Sequence, residues 1–278
     1  TMRITRAKLE ELVAPLIAGR ASAWSQPQAS NGGAVMYHGY MSFLDDDRIQ
    51  RFTIDGATGK LEWQENCAAI GGPAVMALSP DGTVLYVGHR DSLDLSGYRI
   101  DQKTGRLSLI KTIPLQAEPV QISVDRSGKF MLSAYYHQST IGVHAIDATG
   151  APVFPPIEWR YTAHGGHSIL ADRSNKFVFV PHVFAGGDCR RWPEGYYPNA
   201  IFQFKFDAKT GKLTPNTPPQ LSMKGSPEAK GPRHMVFHPT KDFAYTSNEQ
   251  SPNASAYALD PATGTLKVRA VVRNADGS

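Results

Sequence analysis

Between Gly231 and Glu249 the chain gathers side chains that can bind an anion and move a proton. Arg233 and His234 lie in Gly231-Pro232-Arg233-His234-Met235-Val236-Phe237-His238-Pro239, and Thr246-Ser247-Asn248-Glu249 closes the following strand. An arginine offers a permanent planar charge to a phosphate or carboxylate. A carboxylate or an imidazole can take a proton from water, and a fixed cationic donor stabilises a developing oxyanion. His167, just ahead of another predicted strand, is a second imidazole of this kind. Such a set suits attack of water on a carbonyl carbon.

An internal repeat must position these residues. Four segments align without gaps: VMALSPDGTVLYVGHR (75–90), QISVDRSGKFMLSAYY (121–136), SILADRSNKFVFVPHV (168–183) and MVFHPTKDFAYTSNE (235–249). Each reads as an apolar strand, a polar turn such as Pro80-Asp81-Gly82 or Ser127-Gly128, and a second apolar strand. A third strand and a second turn follow, in a D-x-x-T-G-x-L frame at 48–61, 95–107, 199–213 and 254–266, shortened at 140–150. Alternation such as Phe202-Phe204-Phe206 against Gln203-Lys205 favours strands over helices. A four-stranded unit recurring about every 46 residues predicts an all-β propeller, with about five blades in this chain. The expected division is an N-terminal arm or leader over 1–33 and a propeller over 34–278. The first unit lacks its innermost strand.

The register selects one rim. An inner strand starts at the end of the blade to which the second strand returns. Counting puts His167 and Arg233 at one repeat position, while His89-Arg90, Tyr135-Tyr136, His182 and Asn248-Glu249 end second strands. His167, Arg233, Glu249 and His182 are therefore expected on one face near the central channel, with Asn248, Tyr136 and Arg90 as further binding candidates. His234, one residue after Arg233, is expected on the opposite face of its strand as a packed histidine.

The wording GPRHMVFHP followed by SNE, within the repeated frame, resembles the 6-phosphogluconolactonase family of β-propellers and the related fungal carboxymuconate cyclases. The resemblance covers roughly residues 34–270. It implies seven blades, so the expectation is a chain truncated before the last two, or a ring closed differently. It also implies metal-independent hydrolysis of a sugar lactone, foremost 6-phosphogluconolactone, with His167, Arg233 and Glu249 as catalytic groups. The partner it implies is a small anionic lactone. A further arginine of the family pattern belongs to the next blade. A carboxymuconate-type cyclase and a non-catalytic binding propeller stay as alternatives. No Glu/Asn/Asp set falls at matching repeat positions, so neither a metal nor another cofactor is expected.

Other features bound the reading. The 25 glycines and 20 prolines point to many turns and short strands. A net charge of +4 and a pI near 9.0 suit an anionic small molecule, and the scatter of Lys and Arg argues against nucleic acid. Cys67 and Cys189 read as free thiols. No stretch is long and apolar enough to cross a membrane, and a cytoplasmic location is expected. Arg3, Arg6 and Lys8 before the run Leu12 to Gly19 loosely follow an export signal, which is the alternative. Asp45-Asp46-Asp47 reads as a turn rather than a calcium loop. The insertion Val183–Asn199, with Trp192, Tyr196 and Tyr197, has no counterpart elsewhere and reads equally as a lid or a surface loop.

Overall fold

The second apolar strands at 84–89, 130–135 and 177–182 carry apolar residues at consecutive positions, so they must be covered on both faces. In the computed structural model, which describes residues 35–183, 197–223, 231–251 and 253–273, stacked antiparallel sheets supply that cover. The first sheet is β1 (Met36–Phe43), β2 (Arg48–Asp55) and β3 (Leu61–Ala68). The second is β4 (Pro73–Leu78), β5 (Val84–His89), β6 (Asp94–Ile100) and β7 (Leu107–Pro114). The third is β8 (Gln121–Val124), β9 (Phe130–Tyr135), β10 (Thr140–Ala145) and β11 (Glu158–Tyr161). The fourth is β12 (Leu170–Ala171), β13 (Phe177–His182), β14 (Ala200–Asp207) and β15 (Lys212–Ser222). The fifth is β16 (Pro232–Phe237), β17 (Phe243–Asn248), β18 (Asn253–Asp260) and β19 (Thr265–Arg273). Strands pair with their sequence neighbours throughout, as in propeller blades. The predicted arm over 1–33 lies outside the described residues.

Alternation along the second strands joins each blade to both neighbours. On β13, Val178 and Val180 pack with Leu132, Ile141 and Val143 of the third blade. The intervening Phe177 and Phe179 pack with Met235, Tyr257 and Leu259 of the fifth. On β5, Leu85 and Val87 face Ile49 of the first blade, whereas Val84 and Tyr86 face Ile122 and Met131 of the third. The core is thus a series of layers between blades.

The hairpin turns close on side chains at one repeat position. Ser79 Oγ accepts from the amides of Thr83 (3.1 Å) and Val84 (2.9 Å). Asp172 Oδ1 accepts from Lys176 and Phe177, both at 3.0 Å. Asp125, fully buried, accepts from the amides of Ser127 (3.0 Å), Lys129 (2.8 Å) and Phe130 (2.9 Å) and from Ser127 Oγ (2.6 Å). The Asn175 side-chain amide of the next blade also donates to Asp125, at 2.7 Å. A Cβ added at Gly128 would stand 3.5 Å from Pro80 Cδ. The turns at Pro80-Asp81-Gly82 and Ser127-Gly128 therefore adjoin on one face. In the Asp45-Asp46-Asp47 connection, Asp47 Oδ1 accepts from Gly71 (2.9 Å) and Gly72 (2.8 Å), tying the first blade to the second.

Asp125 carries the first test. Hydrogen bonds to a charged acceptor contribute roughly 1.5–3 kcal/mol each, and their buried donors lose water as well. Asp125→Ala should lower unfolding free energy by about 3 kcal/mol or more in urea titration, with Asp125→Asn recovering part. A loss below about 1 kcal/mol would mean that the turn does not depend on this carboxylate.

Candidate active site

At three of the four second strands the rim opposite those turns follows a one-residue rule, while Val183, after His182, stays buried. The last residues of the second strands, His89, Tyr135, His182 and Asn248, are 2%, 0%, 0% and 8% exposed. They continue the strand alternation into an interface between blades. The residues that follow, Arg90, Tyr136 and Glu249, emerge into a depression of about 420 Å³. Val120, His137, His167, Arg233 and His234 complete its lining.

Two of the expected binding residues are therefore corrected. His182 lies on the same face of β13 as Val178 and Val180, turned into the blade interface. Its Nδ1 donates to the Val180 carbonyl (2.9 Å), its Nε2 accepts from Thr162 Oγ1 (3.0 Å), and its ring packs 4.3 Å from that of Phe202. Asn248 shares a face with Ala244 and donates to Asn253 Oδ1 (2.6 Å) and Ser255 Oγ (2.9 Å). Neither lines the depression.

Arg233, Glu249 and His167 converge as the register implies. The Gly231 amide donates to Asn199 Oδ1 (2.8 Å), and the Gly231 carbonyl accepts from the Glu249 amide (2.8 Å). Ser168 Oγ donates to the Arg233 carbonyl across the blade boundary, at 2.9 Å. The His167 amide donates to Pro181 O (2.9 Å). These bonds set His167 of the fourth blade beside Arg233 of the fifth. Arg233 Nε stands 2.7 Å from Glu249 Oε2 as an ion pair whose N–H is not aimed at the oxygen. Glu249 Oε1 accepts from Gln250 Nε2 at 3.1 Å.

His234 is also corrected. It lines the depression with Arg233 instead of facing the other way. Pairing runs Pro232 to Asn248 and Met235 to Thr246, so β16 carries an extra residue, and this bulge turns two successive side chains to one side. Arg233 Nη1 lies 2.8 Å from His234 Nε2. Arginine only donates, so that nitrogen accepts and His234 is neutral with its proton on Nδ1. The proline at the start of β16 signals the irregularity, because it has no amide to continue the ladder. Pro73, at the matching repeat position, marks a bulge in β4.

His137 was missed for a different reason. It follows Tyr136 in a turn, where no strand period applies. The rings of Tyr136, His137, His164 and Tyr197 pack edge to face around one wall, with His164 and Tyr197 centroids 4.6 Å apart. Burial pushes the Tyr136 phenol up, and its hydrogen bond with Tyr197 adds to this. Tyr197, from the insertion, packs against Tyr136 of that wall with ring centroids 6.3 Å apart. Residues 184–196, including Trp192 and Tyr196, lie outside the described residues.

The electrostatics keep His167 and His234 uncharged. Burial, then the Arg233 guanidinium and His234, hold His167 down at about 4 against an ordinary 6.5. Its Nδ1 is buried without a hydrogen-bond partner. Burial, then Arg233, also lowers His234. The depression thus offers an accepting imidazole beside a fixed cation. Among the described residues no cluster of His, Cys, Asp and Glu has the geometry to hold a metal ion. Among them also, no helix is long and apolar enough to cross a membrane.

Residues 36–277 match the model of a protein family described as Lactonase, 7-bladed beta-propeller. The 6-phosphogluconolactonase of Pectobacterium carotovorum subsp. carotovorum (strain PC1) is 31% identical over 212 residues, 76% of this chain and 58% of that protein. That of Erwinia tasmaniensis is 33% identical over 174 residues, 63% of this chain and 47% of that protein. The chain therefore spans 47–58% of the length of these two relatives. The periplasmic gluconolactonase of Pseudomonas aeruginosa shares the fold, with a TM-score of 0.71 at 21% identity over 86% of this chain and 69% of that one.

The buried histidines predict an acid-labile fold. His167 and His182 stay neutral down to about 4, while the ordinary value is 6.5. Between those values the unfolded chain binds more protons, so stability falls as pH falls through that window. The thermal midpoint should drop on acidification from pH 6.5 towards 4. His182→Gln should flatten the slope. A midpoint constant over that range would contradict the neutral assignment.

Proposed function

Because the chain belongs to the seven-bladed β-propeller lactonase family, we propose that its rim depression hydrolyses a sugar lactone, 6-phosphogluconolactone foremost. The observation that carries this reading is the convergence of Arg233, Glu249 and a neutral His167 in one depression. Its likeness to the Pectobacterium and Erwinia enzymes supports the choice of substrate.

Lactone opening adds water to the ring carbonyl, passes through a tetrahedral oxyanion and breaks the bond to the ring oxygen. The water proton leaves to a base, and the ring oxygen departs as a hydroxyl. Arg233 donates to the oxyanion. Glu249 fixes the guanidinium by occupying its Nε side. His167, which lines the depression, takes the proton of water on Nε2, because its Nδ1 is closed off from solvent. A value of about 4 makes it a weaker base than a free imidazole, but leaves it unprotonated throughout the neutral range.

Hydrolysis is measured with 6-phosphogluconolactone in the presence of chelator, corrected for spontaneous opening. It is run on the 278-residue chain and on a version extended to the family's seven blades. Arg233→Ala should lower kcat/KM by about two orders of magnitude or more, the scale of a lost oxyanion donor. His167→Asn should lower kcat more than KM. A larger kcat loss in Glu249→Gln than in His167→Asn would exchange the two roles. The wild-type kcat/KM should stay level from pH 7 to about 5, where an ordinary histidine base would already have lost activity. Absence of acceleration from both forms, or activity abolished by chelator, would reject the reading. A cyclase or a binding propeller would then stand ahead.

A further inference from the structure

The depression contains a second guanidinium that lactone opening does not use. Arg90, after β5, occupies the repeat position of Glu249. Its partner Glu118 breaks the repeat. At the matching position the other four-stranded blades carry Gly72, Gly165 and Gly231, with φ of 72°, 84° and 75°. The carbonyls of these glycines accept from the amides of Arg90 (2.9 Å), Val183 (2.9 Å) and Glu249 (2.8 Å). The third blade has a carboxylate there, and it reaches into the second blade. Glu118 Oε1 accepts from Arg90 Nε and stands against Arg90 Nη2. Arg90 Nη1, with two N–H donors, has no partner among the described residues.

The two ion pairs differ in where they put their charges. Arg233 and Glu249 both line the depression, so that pair contributes a cation and an anion. Of the other pair only Arg90 lines it. Two guanidiniums against one carboxylate leave the lining with one positive charge in excess. That excess sits on a residue held from outside by a single carboxylate oxygen. It is also near enough to His167 to help keep the imidazole neutral.

We propose that Arg90, oriented by Glu118, is the anion pole of the depression, selecting lactones that carry a phosphate ester away from the reacting carbonyl. The proposal rests on the lactone-hydrolysing reading. A guanidinium pinned on its Nε side presents its remaining donors in a fixed plane, the geometry that phosphate oxygens accept. Division of labour follows: Arg233 serves the carbonyl and Arg90 the distant charge.

The test is calorimetric titration of the 278-residue chain with 6-phosphogluconate and with gluconate, beside hydrolysis of the corresponding lactones. The wild type should bind the phosphorylated acid more tightly. Arg90→Gln and Arg90→Met should each reduce that preference by about tenfold or more, the scale of a charge-assisted bidentate contact. Arg233→Gln should weaken both ligands to a similar extent. Circular dichroism identifies folded variants, and either charge-deleting variant suffices. A preference that survives in a folded Arg90 variant, or a wild type with none, overturns the proposal. If the preference depends on Arg90 but neither lactone opens faster than in buffer, the hydrolase reading falls and the anion pole stands. If hydrolysis is fast and the Arg90 variants keep the preference, the pole falls alone.

Discussion

A strand with apolar side chains on both faces has no side to show to water, and the second, third and fourth blades are built around such a strand. Val178 and Val180 must find one neighbour, and Phe177 and Phe179 another. That requirement makes the sheets stack in sequence. It also decides the rim. While such a strand lasts, every side chain goes into an interface, which seals His182, and on β17 the buried face seals Asn248. Where the pleat stops, the next residue is released in the second, third and fifth blades, whereas Val183 stays buried. Arg90, Tyr136 and Glu249 owe their place in the depression to following the last buried residue of their strands.

The repeat frame was legible because turn chemistry recurs at fixed offsets. Asp55, Asp101, Asp207 and Asp260 each accept from backbone amides two or three residues on, and an outer strand follows. The rim position of Arg90, Tyr136 and Glu249 could be counted from that frame. Which of two adjacent residues emerges could not, since apolar runs fix a strand's end only to a residue or so. His182 and Asn248 fall on the wrong side of that margin. His234 escaped for another reason. Counting by twos assumes an even pleat, and the bulge after Pro232 adds a residue. Pro73, Pro119 and Pro232 share one repeat position, and that shared position was the available clue. His137 lies in a turn, where periodicity carries no information.

The charges of the depression are arranged around two imidazoles, His167 and His234, that stay neutral. A protonated His167 would face Arg233 and Arg90 in a partly buried space, and both guanidiniums oppose that state. The same cations that attract an anionic ligand thereby preserve a hydrogen-bond acceptor next to it. In water a cation and an unprotonated histidine are ordinary neighbours. Here burial, and after it the guanidiniums anchored by Glu249 and Glu118, keep the acceptor available well below the usual histidine range.

The hairpin turns bear on how freely such a protein can diversify. At that end of the blades, Asp125 binds Asn175 of the following blade, and Arg126 reaches the Asp172 carbonyl at 3.3 Å. Neighbouring blades are riveted there by side chains that answer to one another, so a change in one demands a change in the next. Beyond the other ends of the same strands the residue type varies from blade to blade, with Arg90, Tyr136, Val183 and Glu249 at one repeat position, each with a different set of neighbours. The molecule therefore has a conservative end and a permissive end. New specificities can be sampled at the second without renegotiating the first, and chemistry can drift across a lineage while the architecture stays put.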